Sequence, residues 1–89
     1  MRELTVDAAL FTSKRDTHAA LRAVLGGENY YGSNLDALHD CLTSVSEPVS
    51  LRIIHWSRAV KNLGAYADAL WHTLDDSADE NRFVIITLE

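Results

Sequence analysis

The chain has 89 residues, 47% of them hydrophobic and 24% charged, and a formal net charge of −5. That length holds a single domain, 1–89, and the composition is that of a folded globular protein rather than a disordered one. The acidic balance argues against direct binding of nucleic acid, no apolar run reaches the length of a membrane span, and a lone cysteine, Cys41, excludes an intrachain disulfide.

Leu4-Thr5-Val6 reads as a short first strand, rich in β-branched residues. Ser13 with Asp16 three residues on resembles a helix start. Leu21, Val24 and Leu25 supply that helix's apolar stripe, and Gly26-Gly27 ends it. Glu28 to Ser33 reads as a loop carrying two tyrosines. Asn34 is a good cap for a second helix, whose Leu35, Leu38, Leu42 and Val45 recur at helical spacing. Pro48 stops it, and Val49 to Trp56 suits a strand. Ser57 can cap a short helix closing at Gly64, and Ala67, Leu70, Trp71, Leu74 and Ala78 outline a fourth. Phe83 to Leu88 is a continuous apolar run, expected to be a strand buried on both faces. Helices separate every pair of strands, so the expected fold is α/β, a three-stranded parallel sheet with about four helices packed on it.

The negative charge is segregated. Ala23 to Leu51 holds no Lys or Arg but contains Glu28, Asp36, Asp40 and Glu47. Asn62 to Asn81 is also free of cations and carries Asp68, Asp75, Asp76, Asp79 and Glu80. Such blocks suit a basic partner, although a solvated surface kept soluble by its charge would show the same pattern. On the second helix Asp36, Asp40 and Thr43 share a face distinct from the leucine stripe, with His39 at its border. His39-Asp40-Cys41 is not a Cys/His catalytic or metal site, because adjacent helical residues point about 100° apart. His18, His55 and His72 have no ligand spacing, and neither a metal nor a cofactor is expected. Trp56 and Trp71 are expected in the core.

The segment Tyr30–Thr43, YYGSNLDALHDCLT, resembles the signature of the barstar family, Tyr-Tyr-Gly-x-Asn-Leu-Asp-Ala-Leu-x-Asp-Cys-Leu-Thr. The rest of the chain agrees more loosely, in length, element order, Asp16 and the apolar last strand. The resemblance implies a barstar-like fold and a non-catalytic protein. Its partner would be a secreted, guanyl-preferring ribonuclease of the barnase type, held in a 1:1 complex inside the producing cell. Met1 to Leu10 lacks a secretory signal pattern and disulfides are excluded, so the expected compartment is the cytoplasm.

By this resemblance Asp40 enters the enzyme's catalytic phosphate site. Barnase–barstar is itself a standard example of such a hot spot, so the weight placed on Asp40 comes with the resemblance. Carboxylates accept paired hydrogen bonds from Arg, which makes Asp36 and Asp40 workable phosphate mimics. Tyr30 would pack beside the acidic helix, Thr43 would bond at its edge, Asp76 would reach the enzyme from the fourth helix, and Glu80 would add long-range attraction. The expected partner-facing set is Tyr30, Asn34, Asp36, His39, Asp40, Thr43, Ser44, Asp76 and Glu80. Two features depart from the family. His39 stands where a Trp is common, and Ser44, Val45 and Ser46 replace an aromatic usual after the helix. A different nuclease toxin is therefore the alternative target, and a small enzyme or metal-binding domain on the same fold is the alternative class.

Overall fold

Six residues of β1 (Arg2–Asp7), six of β2 (Val49–Ile54) and five of β3 (Val84–Leu88) pair in parallel, in the order β1-β2-β3. The coordinates are a computed structural model that describes residues 1–26 and 33–89. Among these residues four helices complete the fold, α1 (Lys14–Leu25), α2 (Leu35–Thr43), α3 (Trp56–Leu63) and α4 (Ala65–Glu80), with one 3-10 turn at Ala8–Leu10. The expected α/β architecture of a parallel three-stranded sheet and four helices is the observed one. None of the described helices is long and apolar enough to cross a membrane.

The register aligns Leu4 with Leu51 and Ile86, and Val6 with Ile53 and Leu88. Strand residues alternate between faces, so these side chains, with Val49 and Val84, form one apolar layer under the helices. Phe11, Leu21, Leu38, Leu42, Leu70 and Leu74 are fully buried against that layer. Trp56 and Trp71 are half-buried at its margin.

The opposite face carries Glu3, Thr5, Arg52, Ile85 and Thr87, all exposed. The expectation that the last strand is buried on both faces is therefore corrected, since Ile85 is 47% exposed. The strand order gives the reason. Both crossovers step in the same direction across the sheet, and crossovers of one hand then place every helix on one side.

Local sequence explains most boundaries. Ser13 Oγ accepts the Asp16 amide at 3.0 Å, and the Thr12 hydroxyl donates to the Asp16 carboxylate at 2.5 Å, fixing the start of α1. The helix ends at Gly26, whose φ of +92° few other residues adopt. One expected cap is corrected. Ser57 lies inside α3, and the N-cap is His55, in the left-handed region at φ 57° and ψ 41° without a side-chain cap bond. The chain must turn sharply out of β2 there. The Glu89 carbonyl instead accepts the Trp56 amide at 2.9 Å, and Asp7 Oδ1 lies 2.9 Å from His55 Nδ1. The second strand accordingly ends at Ile54, not Trp56.

Candidate partner-binding face

Nine residues make α2, too few for a stable helix in isolation. Three features hold it in place. Asn34 Oδ1 accepts the Ala37 amide at 2.8 Å and caps the N-terminus. Leu38, Cys41 and Leu42 are buried in the common core with Leu70 and Leu74 of α4. At the C-terminus, the side chain of Asn81 donates to the carbonyls of Leu42 at 3.0 Å and Val45 at 2.8 Å.

Packing these residues inward turns Asp36 and Asp40 outward, one helical turn apart and both exposed. Among the described residues no Lys or Arg pairs with either carboxylate. Asp36 stands in the first turn, where the helix dipole favours an acid. Asp40 stands in the last turn, where it does not.

Thr43 and Ser44 are turned back on the helix. Thr43 Oγ1 donates to the His39 carbonyl at 2.8 Å, and Ser44 Oγ to the Asp40 carbonyl at 2.6 Å. Their protons are thus committed within α2, and only their oxygen lone pairs face outward. Asn34 is committed in the opposite sense, its side-chain oxygen accepting the Ala37 amide.

On α4, Asp76 and Glu80 are exposed and one turn apart, and Ser77 between them is buried. Glu80 meets the Nε2 of His39 and joins α4 to α2. The structure thus brings His39 and Glu80 together and sets Asp36 and Asp40 beside that pair on α2. Among the described residues Asp76 makes no hydrogen bond or ion pair within this group, and Tyr30 lies outside the described residues.

Other titratable groups lie elsewhere. Burial pushes the Cys41 thiol up, which keeps it protonated and unreactive. His18 is 1% exposed and its Nε2 lies 2.6 Å from Tyr66 Oη, tying α1 to α4. Burial holds its imidazole below the usual value. Among the described residues, no three His, Cys, Asp or Glu side chains gather as a metal-ligand group.

Sequence reasoning missed Asn81 and the direct His39–Glu80 contact. An Asn between a helix and a strand is unremarkable in one dimension. Its partners lie 36 and 39 positions away, so no local pattern points to them.

The family described as "Barstar (barnase inhibitor)" matches residues 1–88. The chain belongs to the barstar family. It is also 35% identical over 81 residues to a Bacillus subtilis (strain 168) protein named "Putative ribonuclease inhibitor YrdF", an alignment covering 90% of this chain and 89% of that one. Barstar-family proteins are inhibitors that bind a ribonuclease and are not enzymes, so the role of this chain is of the barnase-inhibitor kind.

Proposed function

We propose that this protein inhibits a secreted ribonuclease in a 1:1 complex, by seating the Asp36–Asp40 edge of α2 in the enzyme's phosphate-binding cleft. The observation that carries this reading is the pair of exposed carboxylates on a braced helix with no cation among the described residues to neutralise them. A nuclease cleft must attract a phosphodiester and therefore presents Arg, Lys and His. Two carboxylates one turn apart accept the hydrogen bonds the phosphates would have taken. Asp40 goes deepest. Tyr30, Asn34, His39, Thr43, Ser44, Asp76 and Glu80 form the surrounding rim. No bond is made or broken in this mechanism, and it operates in the cytoplasm of the cell that makes the nuclease.

Because α2 is braced at both ends and along its buried face, little ordering is left for the moment of binding. Inhibition should therefore be stoichiometric. Titrating the protein into a guanyl-preferring ribonuclease should abolish RNA cleavage at about one equivalent, with the inhibitor recovered intact. Residual activity at several equivalents would refute the reading for that class of enzyme.

His39 supports a second target. Its ring is held by Glu80 where relatives commonly carry a Trp, so the contact offers a polar edge instead of a large apolar one. A nuclease toxin outside the barnase group, with a donor facing that edge, fits this surface. Running the same titration against such toxins separates the two targets.

A further inference from the structure

Asn81 is 9% exposed and lies in the link between α4 and β3, away from the acidic face in sequence. Each of its polar groups is engaged. The side-chain NH2 donates to the Leu42 and Val45 carbonyls at 3.0 and 2.8 Å, and the side-chain oxygen accepts the Phe83 amide at 3.1 Å. Its own amide donates to the Ser77 carbonyl at 3.0 Å, and its carbonyl accepts the Val84 amide at 3.0 Å. One residue thus joins the end of α4, the start of β3 and the end of α2.

The last carbonyls of any helix lack intrahelical donors. In α2 the amide of Ser44 serves the carbonyls of Asp40, Cys41 and Leu42, and the amide of Val45 reaches Leu42 at 3.4 Å. The two donors of Asn81 complete this set from outside the helix. They also place partial positive charge at the negative end of α2, within a turn of Asp40. The N-terminal turn, where Asp36 sits, has its own cap in Asn34, whereas the bonds of Asn81 reach the carbonyls of Leu42 and Val45 at the other end.

We propose that Asn81 is a positioning residue for inhibition, holding the last turn of α2 so that Asp40 meets the nuclease already oriented. This rests on the proposed role of α2 as the inhibitory helix. Loss of the two donors takes the Asn81 bond from the part-buried Val45 carbonyl, leaves the Leu42 carbonyl to the amides of Ser44 and Val45 alone, and frees the last turn to fray, so that binding must reorder it.

The test compares Asn81→Ala with Val6→Ala, a core substitution in β1 that lowers global stability and leaves the Asn81 bonds to α2 in place. Both are measured where each variant is fully folded. Asn81→Ala should dissociate from the nuclease about tenfold faster or more, whereas Val6→Ala keeps the wild-type rate. In double-mutant cycles, Asn81→Ala should couple with Asp40→Ala and not with Asp36→Ala. In the free protein, the amides of Ser44 and Val45 should exchange with solvent faster in Asn81→Ala than global stability accounts for. If the Ala variant does not fold, Asn81→Ser replaces it, keeping an acceptor for Phe83 but too short to serve both carbonyls. Equal coupling to Asp36 and Asp40, or a dissociation rate matching Val6→Ala, would overturn the positioning role alone. A wild-type protein that inhibits no ribonuclease would instead overturn the inhibitor reading, and the positioning role with it.

Discussion

The imidazole Nε2 of His39 meets a carboxylate oxygen of Glu80, joining α2 to the last residue of α4. Glu80 is therefore not a free acid waiting for a partner, and His39 is not a loose ring. His39→Trp removes this exposed pair, at a cost to folding of less than about 1 kcal/mol. It also adds apolar area at the proposed rim. The variant should bind barnase-type ribonucleases more tightly, by about 1 kcal/mol. Isothermal titration against such an enzyme checks this, and an unchanged affinity would place His39 outside the contact.

Asp36 and Asp40 should respond differently to removal. Asp40 opposes the helix dipole and repels Asp36, a cost of about 0.2–0.5 kcal/mol for such a pair. Asp40→Ala should therefore leave the free protein as stable as before or slightly more so, while weakening inhibition by at least about 2 kcal/mol. Asp36 is favourably placed in the first turn, so Asp36→Ala should gain no stability in the free protein. Denaturant melts paired with inhibition titrations decide both points. An Asp40→Ala variant that melts earlier and inhibits normally would make Asp40 structural.

His18 makes stability depend on pH. Burial holds its folded-state imidazole below the ordinary value of 6.5. As pH falls below 6.5 the unfolded chain takes up a proton that the folded protein does not, so stability declines through that window and levels off above it. Asp7 and Glu89 are also held below their ordinary values, Asp7 chiefly by the Ala9 amide and Glu89 chiefly by Arg52. Their stabilisation is lost only at lower pH, as each carboxylate protonates. His18→Gln should flatten the decline that begins as pH falls below 6.5 and leave the more acidic limb intact. An unaltered profile in urea melts across that range would remove His18 as the cause.

Cys41 should be silent to thiol reagents. Its side chain is 5% exposed and burial raises its pKa, so a native sample near neutral pH should label only as fast as it opens. Denaturant should release one reactive thiol per chain. Rapid labelling of the native protein would contradict the burial.

Features set by neighbours in the chain were legible in the sequence. The Ser13 and Asn34 caps, the leucine stripe of α2 and the three strands each follow from residues within one or two turns. Features set by topology were not. Ile85 and Ile86 are adjacent and equally apolar, yet only the strand order tells that Ile85 faces solvent. His55 became a left-handed cap because β2 must turn straight into α3, a demand no helix-start pattern encodes. Of the acidic face, Asp36 and Asp40 could be found by helical spacing, whereas the grip of Glu80 and Asn81 spans 36 to 41 positions.

That span has a consequence for biosynthesis. A nascent chain that has emerged as far as Pro48 holds every residue of α2, but neither α4, which covers its apolar side, nor the amide that ties down its end. A nine-residue helix does not persist alone in water. The acidic edge therefore acquires its shape only after residue 81 has left the ribosome and the chain has folded back on itself. Translation that stops short of that point releases a polypeptide that carries Asp36 and Asp40 but not the folded edge that displays them.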